Sequence, residues 1–70
     1  MKSYAEYLRD LIGKKGSLDD FDQGCYFFRI DIGNTDTLIE VGQDYAKFLV
    51  MAGGVREHRL VPLNMLSVWI

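Results

Sequence analysis

The chain has 70 residues, a formal net charge of −2 and 49% hydrophobic residues, 13% being aromatic. A chain this short makes one domain (residues 1–70) and buries only a modest share of its unfolded surface. Its single cysteine, Cys25, excludes an internal disulfide. One cysteine with one histidine, His58, cannot build a structural zinc site by themselves. The acidic balance and the lack of a long basic run argue against salt-driven binding to nucleic acid through a broad positive face. No apolar run approaches the roughly 20 residues that span a bilayer, and Met1–Glu6 has no signal-peptide core. A lone thiol fits a reducing compartment, so the expected location is the cytoplasm, with no membrane partner.

The first predicted element is a helix near residues 3–13. Ser3 and Glu6 form the S-x-x-E capping box. Tyr4, Tyr7, Leu8, Leu11 and Ile12 then recur at helical spacing. Gly13 and Gly16 around Lys14-Lys15 supply a stop and positive charge near the helix end. Ser17 to Gly24, with three aspartates and a closing glycine, reads as a loop pinned by Leu18 and Phe21.

Five short strands are predicted next. Tyr26–Ile32 places Tyr26, Phe28, Ile30 and Ile32 on one face, with Phe27, Arg29 and Asp31 on the other. After a turn at 33–36, Thr37–Gly42 places Ile39 and Val41 on one face and Leu38 and Glu40 on the other. Tyr45–Ala52 follows a tight turn and is closed by Gly53-Gly54. Arg56–Val61 ends at Pro62, which cannot donate to a ladder. Leu63–Met65 reads as a short turn before a last strand, Leu66–Ile70. The expected core is Leu8, Leu11, Ile12, Phe28, Ile30, Ile39, Val41, Phe48, Val50, Leu60 and Val68. Phe27, Leu38, Leu49 and Met51 are expected on outer faces. Turns so closely spaced favour a mainly β fold, a small barrel or sandwich, over any βαβ arrangement, and the expected form is an antiparallel barrel capped by the helix.

Leu38-Ile39-Glu40-Val41-Gly42-Gln43-Asp44-Tyr45 and Leu60-Val61-Pro62-Leu63-Asn64-Met65-Leu66 with Val68 carry a family resemblance. With the N-terminal helix, this layout resembles the Sm-like family (Sm, LSm and Hfq proteins). The first segment is similar to that family's second-to-third strand bend, and the second to its fourth-strand, short-turn, fifth-strand ending. The resemblance implies a five-stranded, strongly bent antiparallel SH3-like barrel and a ring of five to eight subunits. In such a ring the fourth and fifth strands join edge to edge, and many members bind RNA around the pore. The signature residues are largely replaced here. Asp44-Tyr45-Ala46-Lys47-Phe48 stands near the Sm Asp-x-x-Met-Asn position, Pro62-Leu63-Asn64-Met65 at the Arg-Gly-Asp/Asn position, and the Hfq Tyr-Lys-His motif is absent.

Two candidate binding sets follow. Gln43, Asp44, Tyr45 and Asn64 are candidate RNA or pore contacts, since an aromatic ring stacks on a base and carboxylates or amides read its edge. The alternative is a tyrosine buried in the barrel with its hydroxyl at the rim. Arg56, His58 and Arg59 are a candidate phosphate patch. Asp19, Asp20 and Asp22 lack the glycine and distal glutamate of a calcium loop and read as a solvated turn. Cys25 reads as a small packed hydrophobe, and His58 as a half-exposed strand residue without a nucleophile or orienting partner. The glycines form no phosphate loop. The expected function is a non-catalytic, cofactor-free module that assembles with itself into a ring of five or more chains; its further partner is RNA or another protein. The alternative is an RNA-binding ring resembling Hfq or LSm.

Overall fold

The computed structural model describes residues 2–20, 24–31 and 33–69. Phe21, Asp22, Ile32 and Ile70, which entered the sequence expectations, lie outside the described residues. The fold is mainly β with one N-terminal helix, α1 (Tyr4–Arg9). The capping box forms as read: Ser3 Oγ accepts from the Glu6 backbone N–H (3.2 Å), and the Ser3 N–H donates to Glu6 Oε1 (3.4 Å). The helix stops at six residues rather than continuing to 13. Asp10 caps its C-terminus, and the Gly13 N–H is taken by the Leu38 carbonyl instead of a helical partner (2.8 Å).

Among the described residues six strands follow, not five. They are β1 (Lys15–Asp20), β2 (Tyr26–Ile30), β3 (Asp36–Val41), β4 (Tyr45–Ala52), β5 (Val55–Pro62) and β6 (Leu66–Trp69), with a 3-10 turn at Leu63–Met65 before β6. The extra strand is β1, in a stretch read as helix end and loop. Its lysine, glycine, serine and aspartates have low strand propensity, but it pairs on both sides, and this tertiary pairing overrides composition. The sheet is mixed, in the order β5-β4-β3-β1-β2-β6, because β6 runs parallel to β2. It therefore departs from the all-antiparallel barrel expected, and among the described residues β5 and β6 share no ladder.

The register divides the sheet into two lobes. β1 and β3 overlap at only two pairs, Lys15 with Thr37 and Gly16 with Asp36, and then diverge. One lobe is β1-β2-β6 and the other β3-β4-β5. They fold onto each other through a core in which the Phe28 and Phe48 rings meet at 4.8 Å. Chain length demands the fold-over. In a flat sheet β5 and β6 would stand about 24 Å apart at the usual strand spacing, yet Pro62 to Leu66 spans at most about 14 Å. Helix α1 lies across the gap, with Leu8 buried. Tyr4 donates its hydroxyl to the Leu66 carbonyl in one lobe (2.7 Å), and Arg9 Nε donates to the Val41 carbonyl in the other (3.4 Å).

The core is Leu8, Phe28, Leu38, Val41, Ala46, Phe48, Val50, Val61 and Leu66. Two strand faces differ from expectation. Leu38 pairs with Phe48 but Glu40 with Lys47, so Ile39 is the extra residue of a β-bulge. The bulge resets the alternation, buries Leu38 together with Val41, and leaves Ile39 half-buried. In β5 it is Val61, opposite Ala46, that is buried, while Leu60 is 62% exposed. Ile12 is also exposed because the helix ends before it. Leu11, Ile30 and Val68 pack partly buried around the core. Phe27 and Leu49 are partly covered and Met51 is exposed.

The β4–β5 hairpin is closed at Gly53 and Gly54, whose φ values of 59° and 81° both suit a primed two-residue turn. Beneath it, Asp36 fastens the junction of the lobes. One carboxylate oxygen accepts from the Leu18 N–H of β1 (2.9 Å) and the other from the Met51 N–H of β4 (3.4 Å). Asp36→Ala should cost about 2 kcal/mol, the usual worth of hydrogen bonds to a charged group, with water able to take up the exposed Met51 N–H. Urea unfolding at fixed protein concentration checks this value, with Asp36→Asn expected to fall between the two.

Candidate functional site

The bend between β3 and β4 and the 3-10 turn between β5 and β6 meet at one corner. Antiparallel pairing of Tyr45 with Pro62 sets this meeting, and the Leu63 N–H donates to the Asp44 carbonyl at 2.9 Å. Gln43, Asp44, Pro62, Leu63 and Asn64 line an open groove there. An adjoining hollow is lined by Asp44, Tyr45, Leu60, Val61 and Pro62. Of the first candidate set, Gln43, Asp44 and Asn64 thus share one exposed groove, with Tyr45 in the hollow beside it.

Tyr45 is half-buried and held. Its ring lies so close over Gly42 that a side chain there would overlap it, which explains the glycine at this bend. Its hydroxyl donates to Glu40 Oε2 at 2.6 Å. That bond raises the phenol above its ordinary value of 10.0, helped by desolvation and by the Glu40 and Asp44 charges. The raised value favours the neutral phenol in the folded chain. This contribution to stability is present below pH 10 and is lost as pH rises through the folded-state value. Glu40→Gln should lower the Tyr45 ionisation toward the ordinary tyrosine range in a spectrophotometric titration. An unchanged curve would remove Glu40 as the cause.

The corner carries one aromatic ring, two side-chain amides and a carboxylate. These groups can hydrogen-bond and stack, but they supply no positive charge for phosphate.

The second candidate set is divided by the strand. Arg56 and His58 are exposed on the outward face of β5, while Arg59 points to the other face, with Glu57 Oε2 at 3.9 Å. Arg56 instead lines a groove with Lys15, Thr35, Thr37, Leu49 and Met51. The register explains the grouping: Lys15 is opposite Thr37, Thr37 opposite Leu49, and Met51 opposite Arg56. Sequence reasoning missed Lys15 because its strand was read as part of the helix end and loop. Along β5, Arg56 stands about 20 Å from the Pro62 corner at the usual rise per residue, so the two sets are separate places.

Cys25 is exposed rather than packed, since it precedes the first ladder pair of β2. Asp19 is exposed on β1. Among the described residues, no group of three or more His, Cys, Asp or Glu side chains is placed to hold a metal ion. No helix among them is long and apolar enough to cross a membrane. Comparison with family models, curated proteins and solved structures finds no match to this chain.

Proposed function

We propose that this protein is a non-catalytic cytoplasmic module that assembles with copies of itself, in the manner of the Sm-like rings that its sequence resembles. The observation carrying this reading is that the sheet ends in two different strands, β5 and β6, with no ladder between them among the described residues. Unpaired strand edges are templates for further pairing. Because these two edges differ, pairing one with the other is heterologous, which gives a ring where the rotation closes rather than a two-fold dimer. Arg56, Glu57 and Arg59 keep the first half of β5 charged, which restrains uncontrolled pairing. Its exposed apolar side chains are Val55 at one end and Leu60 near the other. A barrel-like closure of the β-structure is then completed between chains rather than within one.

The second reading is an RNA-binding ring, favoured by the gathering of Gln43, Asp44, Tyr45 and Asn64 at one corner. The acidic balance, and the distance of that corner from Arg56, favour the first. Light scattering on the purified chain at micromolar concentration, alone and with U-rich or A-rich oligonucleotides, tests both. An assembly that ignores the oligonucleotides supports the non-catalytic module. Submicromolar, salt-sensitive oligonucleotide binding reverses the order of the two readings. A monomer under all conditions overturns both.

A further inference from the structure

The groove that joins Lys15 to Arg56 crosses four strands. Lys15 of β1 stands opposite Thr37 of β3, Thr37 opposite Leu49 of β4, and Leu49 opposite His58 of β5. Arg56 stands one outward residue along β5, opposite Met51. With Thr35, these lining residues enclose about 280 Å³. One cation thus stands at each side of the groove, two hydroxyls come from β3 and the residue just before it, and β4 supplies an apolar centre.

No acid lines this groove. Among the described residues the ion pairs are Lys2 with Asp10 and Arg59 with Glu57, so neither Lys15 nor Arg56 is neutralised there. The carboxylates of the adjoining segments are engaged elsewhere. Both Asp36 oxygens accept backbone N–H groups, Asp31 accepts from the Asn34 amide at 2.9 Å, and Glu40 is held by Tyr45. Two like charges in one hollow repel each other, and its low-dielectric walls focus their field on an incoming anion.

We propose that this groove binds a small phosphate monoester, with the phosphate between Lys15 and Arg56 and the carbon skeleton on Leu49 and Met51. A guanidinium fork matches two phosphate oxygens, and an ammonium serves the third as a point charge. A phosphate monoester carries about −1.5 to −2 charge at pH 7, which two unpaired cations balance. The Thr35 hydroxyl is a further donor, while that of Thr37 is turned to the Thr35 carbonyl at 3.2 Å. The volume lies near the lower bound of about 300 Å³ for small-molecule sites, which suits a compact ligand. Along β5 the outward face passes from Arg56 and His58 to Leu60 and Pro62, and Lys47 stands opposite Glu40. The positive charge therefore does not extend into the stripe that a nucleic-acid backbone follows. All the lining residues belong to one chain, so the site stands or falls separately from assembly.

The test titrates the isotope-labelled full chain with phenyl phosphate and follows its backbone amides by nuclear magnetic resonance. Inorganic phosphate, benzoate and a U-rich oligonucleotide form separate arms. The expected result is saturable shifts centred on Lys15, Thr35, Met51 and Arg56, with a Kd of about 1 mM or below. Inorganic phosphate should bind at the same residues more weakly, for want of the apolar contact, and benzoate more weakly for want of charge. Lys15→Gln and Arg56→Gln should each weaken phenyl phosphate at least about tenfold, the effect of losing a hydrogen bond to a charged group. Arg56→Lys, which keeps the charge without the fork, should fall between. Arg29→Gln, on β2 and outside the groove, should change nothing. Lys15, Arg29 and Arg56 are exposed, so circular dichroism should show the fold retained in every variant.

The absence of saturable shifts overturns the site, as does an equal loss in Arg29→Gln, which would mark general attraction to cations. Benzoate or inorganic phosphate binding as tightly as phenyl phosphate overturns the assignment to a phosphate monoester. Oligonucleotide shifts at the same residues, with phenyl phosphate silent, give the groove to nucleic acid and overturn it too.

Discussion

Replacing Phe48 by alanine is expected to remove about 3–5 kcal/mol of stability, the range for a large aromatic deleted from a packed core. Phe48 is fully buried, sits opposite Leu38, and touches Phe28 of the other lobe. It is one of the contacts by which the two lobes hold each other. A domain of this size has a total stability on the order of 4–10 kcal/mol, so the variant should be largely unfolded well below the denaturation temperature of the parent. Urea unfolding followed by circular dichroism gives the value. A cost below about 1 kcal/mol would mean that the lobes do not depend on this packing. Ile39→Ala, expected from sequence alone to cost the same, should cost less, because the bulge leaves Ile39 half-buried.

Gly16→Ala should come next in size, at about 3 kcal/mol, the upper part of the range for forcing extra volume into a packed site. A methyl group at residue 16 would overlap the Arg29 carbonyl oxygen and lie within 3.0 Å of Ile30 Cα. These are backbone atoms of the paired strand and cannot rotate away. Gly16 is also one of the two β1 residues that ladder with β3, so the strain falls on the junction of the lobes. The adjacent Asp36 clamp would be pulled with it. Gly33→Ala, where an added methyl meets nothing within 4 Å, provides the contrast and should change stability little. Equal stability of the two variants would show that β1 and β2 can separate at Gly16 without loss.

Local signals in the sequence located some elements well and others poorly, for physical reasons. Ser3 with Glu6, Gly53-Gly54, and Pro62 before a short turn each specify backbone geometry within a few residues, and each stands where it was expected. The strand at Lys15–Asp20 was hidden because nothing local favours it; it exists through hydrogen bonds to β2 and β3 and through the absence of a side chain at Gly16. The face of β3 was misread because one extra residue, Ile39, shifts the alternation, and a period-two pattern has no marker for a bulge. Leu60 and Val61 were exchanged for a related reason. Two adjacent apolar residues near a strand end leave the period undecided, and the pairing of Val61 with Ala46 decides it.

The candidate sites divide in the same way. Gln43, Asp44 and Asn64 come together because two recognisable turns adjoin the same pair of strands. The Lys15–Arg56 grouping needed the unforeseen strand β1. The separation of Arg59 from Arg56 and His58 follows from strand alternation alone, and was legible from their spacing.

In the proposed assembly, edges β5 and β6, which share no ladder among the described residues, are satisfied by other copies of the chain. Sedimentation equilibrium of the full chain across micromolar concentrations tests it most directly. The expected result is a single species of five or more chains, each of 8.0 kDa, which dissociates on dilution. A mass of 8.0 kDa at every concentration would contradict it.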